Sequence, residues 1–210
     1  MRRRKLSEYW IDETLLDKEK TIAVCAGAGV LPHFENNIKP LCKEVLRIDI
    51  KGKYLDYGRA LVRNGGPEMI EMGIDGAYYS TIRKDGLFKE FPTITIEQLE
   101  KNHGEIHILK IDIEGEEFAI FDSLDDVNFE QIIFEIHDFL VDSEENVEDA
   151  QRLLNKIQDW GYDCVWYNES PKIKMLRDKK NETNPLRGIH EFVFVRRDLN
   201  NNKVFFKDGF

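Results

Sequence analysis

The chain reads as an α/β protein built on a doubly wound, mostly parallel seven-stranded sheet with one antiparallel strand near an edge. Three observations carry that reading. Apolar runs such as IHILKIDI (106–113) and QIIFEI (131–136) lack the polar alternation of half-buried strands, as strands covered on both faces do. Strand-like and helix-like segments take turns along most of the chain. The last two strand-like runs, YDCVWY (162–167) and HEFVFVRR (190–197), have no helical pattern between them, which implies an antiparallel pair.

Residues 7–17 are expected to form a short helix within an N-terminal helical extension over 1–20. TIAVCAGAG (21–29) reads as the first strand of the sheet running into a glycine turn, and a helix over 33–43 leads to EVLRIDI (44–50), the second strand. MIEMGID (69–75) is expected as the third strand, and the short helix TIEQLEKN (95–102) introduces the fourth at 106–113. After the fifth strand, Val147, Ala150, Leu154, Ile157 and Trp160 recur at helical spacing, with Ser143 as cap and Gly161 at the left-handed C′ position. The main domain is therefore expected over 21–198, followed by a tail over 199–210.

At 210 residues the chain suits one domain, long enough to bury roughly 70% of its unfolded surface. Its formal net charge of −10 argues against a nucleic-acid partner, because phosphate binding relies on a basic face, and the opening RRRK reads as a solvated arm. Cys25, Cys42 and Cys164 lie far apart without CxxC pairing, which suggests a reducing compartment and no structural zinc. No apolar run approaches membrane-spanning length and no signal peptide is visible, so a soluble, cytoplasmic protein is expected.

Function is sought at the C-terminal ends of the strands, where open α/β sheets bind ligands. IHILKIDIEGEE (106–117) and IIFEIH (132–137) both acquire ionisable groups there. Side chains two apart share a face, so Asp112 points with Glu114, and Glu135 with His137. If the strands are neighbours, four ionisable groups converge, at a desolvation cost that folds tolerate mainly where chemistry needs it.

Gly27, Ala28 and Gly29 follow a strand and precede a helix, which brings backbone N–H groups and a helix N-terminus towards a ligand. Asp49 closes the second strand, placed to accept hydrogen bonds from ribose hydroxyls. Together they suggest an adenosine-containing cofactor, against the plainer alternatives of a tight turn and a solvated strand end. A dinucleotide fingerprint wants glycine where Pro32 stands. S-adenosylmethionine has no pyrophosphate: its tail suits the turn from Gly27 to Gly29, with Asp112 beside it, its ribose suits Asp49, and its adenine suits Ile74 and Asp75.

The stretch TITIEQLEKNHGEIHILKIDIEGEEFAIFDSL, then IIFEIH, GYDCVWY and HEFVFVRR, resembles the FkbM-like family of S-adenosylmethionine-dependent methyltransferases, whose core carries KIDVEGAE and an EIH-like strand. The resemblance spans about residues 90–197 well and 21–75 loosely. It implies the class I methyltransferase, Rossmann-like fold and methylation of hydroxyl groups on sugars and related natural products. This chain departs from the family pattern at Cys25, which takes an acidic place, at Leu31, which takes a glycine place, and at Glu116, which replaces a small residue and leaves Glu117 as the match to the family's second glutamate. The GAGVLPHFE reading, with Glu35 downstream, is closer to a divergent branch of the family.

Methyl transfer to an aliphatic hydroxyl needs alignment and a base. His137 is the first candidate base, with Glu135 on its face, and Asp112 the second, as base or as the group that orients the acceptor. The alternative is a core histidine satisfied by a neighbour. Glu114, His137 and Trp166 are expected to contact the acceptor, although Glu114 and Glu117 also suit the start of a helix and Trp166 a core position. Mg²⁺ or Mn²⁺ held by Asp112, Glu135 and His137 is a further possibility that no local spacing demands. The basic insert over 168–189 fits an anionic acceptor such as a phosphorylated sugar, or else a solvated loop. The expectation is thus an O-methyltransferase for a small-molecule or glycan acceptor, alone or as a module of a larger glycan-building enzyme. The competing readings are an inactive methyltransferase-fold binding module and a nucleic-acid base N-methyltransferase, the latter weakened by DIEG where such enzymes carry an NPPY-type segment.

Overall fold

The computed structural model describes residues 3–7, 9–28, 33–50, 56–57, 59–66, 68–73, 88–113, 117–137, 145–169 and 189–200. In chain order the elements are β1 (Arg3–Leu6), β2 (Tyr9–Asp12), β3 (Ile22–Ala26), α1 (His33–Ile38), β4 (Glu44–Ile48), β5 (Ala60–Leu61), β6 (Met69–Gly73), β7 (Phe88–Ile94) and α2 (Ile96–His103). There follow β8 (Ile108–Ile111), α3 (Glu117–Asp122), β9 (Gln131–His137), α4 (Glu145–Asp159), β10 (Tyr162–Glu169) and β11 (Ile189–Arg196).

The central sheet has the order β10-β11-β9-β8-β3-β4. β4, β3, β8 and β9 run parallel, and β11 is antiparallel to both its neighbours, as the final strand pair led one to expect. All five residues of β3 and all four of β8 are buried, which is why these runs show no alternation. One face packs Val24, Leu109, Ile111, Ile132 and Phe134 against Leu99 of α2, Phe121 of α3 and Ile157 of α4. The other packs Cys25, Ile108, Ile133 and Val193 against Phe34 and Ile38 of α1 and Tyr9 and Ile11 of β2. Helix α2 starts at a reciprocal cap, in which Thr95 Oγ1 accepts from the Gln98 N–H and Gln98 Oε1 from the Thr95 N–H, both at 3.1 Å. Gly161, with φ +91°, follows α4 as expected, while Ser143 lies outside the described residues. No helix among the described residues is long and apolar enough to cross a membrane.

Two expectations are corrected. Residues 7–17 do not form a helix: β1 and β2 pair antiparallel, followed by a 3-10 turn over Glu13–Leu15. Ser7 reverses the chain with φ +56°, and a period of two buries Tyr9 and Ile11 while leaving Trp10 exposed. The fully buried Gln131 then fastens this hairpin to the sheet, accepting from Asp12 N at 2.8 Å and donating to Asp12 O at 3.1 Å.

The third strand is also elsewhere. Met69–Gly73 pairs antiparallel with Phe88–Ile94 in a separate three-stranded sheet, β5-β7-β6, so the central sheet has six strands among the described residues rather than seven. The partner β7 carries Pro92, which has no N–H to give a ladder and made this run look unlike a strand. Beyond β4, among the described residues, the central sheet continues as an isolated parallel bridge between Ile48 and Tyr57.

Candidate active site

Three strand ends are laced together at the edge where ligands are expected. Gly27, one residue past β3, has φ +77° and donates its N–H to Ile48 O at 2.9 Å, while Asp112 N donates to Ala26 O at 3.2 Å. A Cβ on Gly27 would sit 1.6 Å from the carbonyl oxygen of Asp112. The glycine is therefore required by the approach of two backbones inside the protein, whatever it does for a ligand. Ala28 is buried beside it, and Gly29 lies outside the described residues.

Asp49 follows β4 on the same edge, its N–H donating to Tyr57 O at 3.3 Å. This stretch is pinned from two sides. Arg47 grips Asp56 through Nε at 3.0 Å and Nη2 at 3.2 Å, and the Tyr57 hydroxyl lies 2.5 Å from His103 Nε2. Burial works against ionisation of Asp56, but the hydrogen bonds from the Arg47 guanidinium and backbone outweigh it and hold the carboxyl below its usual range.

Asp112 and Glu135 do come together. Ile111 of β8 is level with Phe134 of β9, so one residue further on Asp112 and Glu135 leave neighbouring parallel strands side by side, on the face that bears Ile108 and Ile133. Glu135 is in turn the antiparallel partner of Glu191, whose Oε2 accepts from Asn168 Nδ2 at 2.8 Å. His137 ends β9, its backbone level with Ile189; its side chain, like Glu114, Ile74, Asp75 and the insert over 170–188, lies outside the described residues. Trp166 is on the same face of the sheet, with its ring edge-on to Tyr9 at 6.0 Å between centroids. Glu117 is fully buried, and its Oε1 accepts from Ile113 N at 3.2 Å, which ties the first residue of α3 to the end of the β8 segment.

The sequence reading missed Lys110. Its ammonium lies 3.7 Å from Glu35 Oε1 and 3.5 Å from Asp112 Oδ2, with both Lys110 and Glu35 about as buried as the core around them. A lysine inside ILKID was a readable signal, because the strand offers it no solvent face. Glu191 and Asn168 gave no signal, since their place beside Glu135 depends on non-local pairing. Cys25 is completely buried next to this group; burial first, then the charge of Glu35, push its thiol well up. Burial also pushes Cys42 up to about 12 and Cys164 up to about 11, so none of the three free cysteines supplies a thiolate at neutral pH.

Among the described residues no three His, Cys, Asp or Glu side chains form a group that could hold a metal; of the set Asp112, Glu135 and His137, the imidazole lies outside those residues. The turn after β3 and the carboxylate after β4 stand on one edge of adjacent parallel strands, at the carboxyl ends where open α/β sheets bind ligands.

Residues 68–164 match the model of a protein family described as the Methyltransferase FkbM domain. No curated protein matches the chain. Among solved structures, a Methanococcus jannaschii fibrillarin pre-rRNA processing protein is similar at 11% identity and a TM-score of 0.42, over 85% of this chain and 67% of that one, a likeness too loose to build on. The family match runs from β6 into β10 and contains both strand ends that bear Asp112 and Glu135. The resemblance first read from KIDIEGEE and IIFEIH is thereby met independently, and the segment that carries both is similar to the FkbM methyltransferase domain.

Proposed function

We propose that the protein is an S-adenosylmethionine-dependent O-methyltransferase acting on a hydroxyl group of a sugar, glycan or similar small molecule. The observation that carries this reading is the level placement of Asp112 and Glu135 at the ends of adjacent parallel strands, next to the turn at Gly27. When bound, the donor supplies a methyl group on a sulfonium centre. The turn at Gly27 to Gly29 and Asp49 are the residues to hold it, with Ile74 and Asp75 beside its adenine. The remaining work is to place the acceptor hydroxyl in line and remove its proton. Asp112, tethered by Lys110, suits orientation better than proton removal. His137 is assigned the base, with Glu135 two residues before it on the strand to orient the imidazole, while Glu114 and Trp166 border the acceptor. A positioned base of this kind contributes about 10² to 10⁴ in rate.

A second reading, a donor-shaped module without turnover, is favoured by two observations: Gly27 is already committed to the Asp112 backbone, and Cys25 stands as a neutral thiol where the family has an acid. Calorimetry separates the two. Donor at a hundred times its Kd should stabilise the fold by about 2.7 kcal/mol. Turnover on a panel of sugars with labelled donor should then fall about 10²-fold or more in His137→Ala. No stabilisation by the donor would favour the second reading; full turnover in His137→Ala would remove histidine from the role of base.

A further inference from the structure

Lys110 enters the reaction outlined above only through its contact with Asp112, yet its position is expensive to maintain. It is 3% exposed, in a strand whose neighbours Ile108, Leu109 and Ile111 are wholly buried, and its Nζ lies near the rings of Tyr9 at 5.7 Å and Phe34 at 5.9 Å. Burying an ammonium is costly, and a well-packed apolar pair usually serves stability as well as a buried ion pair. Packing alone therefore gives no reason for Lys110 opposite Glu35. What the pair does provide is a connection. Glu35 belongs to α1, the helix that follows the glycine turn, whereas Asp112, with its side chain 25% exposed, reaches the rim where the acceptor is expected. The ammonium touches both carboxylates.

We propose that Lys110 is a positioning residue: anchored by Glu35 of α1, it fixes the orientation of the Asp112 carboxylate at the sheet edge and so couples the helix behind the donor turn to the group that orients the acceptor. This rests on the methyltransferase reading. A lysine suits the task because its single ammonium has three donor directions, enough to serve two carboxylates.

The test must keep the interior neutral, because Lys110→Met alone strands Glu35. In the double variant Lys110→Met/Glu35→Gln the buried charge is removed as a pair and Asp112 alone loses its tether. The expected result is a folded protein with donor Kd within about twofold of wild type and kcat lower by about ten- to a hundredfold, the order of loss that follows from misplacing a reacting group. Asp112→Asn should then cost much less in the double variant than in wild type. Equal costs in the two backgrounds, or an unchanged kcat in the folded double variant, overturn the proposal. Donor binding to wild-type protein is measured first and judges the methyltransferase reading by itself. If that reading fails, urea unfolding still decides on the tether: the effects of Lys110→Met/Glu35→Gln and Asp112→Asn should be non-additive, and strict additivity refutes it.

Discussion

Gly27 shows how a correctly noticed residue can carry a different burden from the one its motif suggests. The sequence marks it as a turn glycine near a ligand; the structure makes it the point where the ends of β3, β4 and β8 meet. Gly27→Ala would force a methyl carbon to within 1.6 Å of the Asp112 carbonyl oxygen at a φ of +77°. Neither strain is relieved by rotating a side chain, so a loss of at least about 3 kcal/mol is expected in urea unfolding. Gly161→Ala is the control. Its φ is also positive, +91°, but nothing lies within 4 Å of the new carbon, so only the left-handed backbone cost of about 1–2 kcal/mol applies. Equal losses at the two sites would show that the backbone approach at Gly27 is slack. Lys110 could be read from ILKID as a misplaced charge but not as a tether, because only the arrival of Glu35 from α1 supplies its buried partner.

The strands buried on both faces were legible because their signal is local. β3, β4, β8 and β9 match the runs read as strands, and α2 and α4 their periodic patterns, to within a residue or two. The hairpin β1–β2 and the strand β7 were not: the hairpin is fastened to the sheet by a residue distant in sequence, and β7 carries Pro92. Gln131 illustrates this: a polar residue beginning an apolar strand becomes the hydrogen-bonding partner of Asp12, 119 residues away. Gln131→Met keeps the volume roughly but strands the N–H and C=O of Asp12, a cost of about 1–3 kcal/mol per unsatisfied group. Amide exchange should then quicken at Tyr9–Asp12 with little change at Ile108–Ile111. Uniform acceleration across both strands would mean that the hairpin and the sheet open as one unit.

Electrostatics of the fold sum to a dependence on pH that no single element shows. The chain carries a formal net charge of −10 at pH 7, and self-repulsion of that sign eases as carboxylates take up protons. Burial holds Glu130 and Glu100 above the usual carboxylate range, so the folded state binds protons that the unfolded chain has already released. Their contribution is fully present below the unfolded carboxylate pKa and is lost as pH rises through the raised folded values. Asp56 works the other way: held down by Arg47, it contributes above its unfolded pKa and that contribution is lost as pH falls through the folded value. Stability should therefore peak on the acid side of neutrality, above the ordinary carboxylate pKa of about 4, and decline both towards neutral pH and towards stronger acid. Urea midpoints measured across this range check it with two variants. Glu130→Gln should flatten the decline towards neutral pH, and Asp56→Asn should weaken the loss in acid while loosening the segment that carries Asp49. A wild-type midpoint rising steadily from mild acid to neutrality would mean that depressed carboxylates outweigh the buried ones, and that the edge at Arg47 and Asp56 dominates the balance.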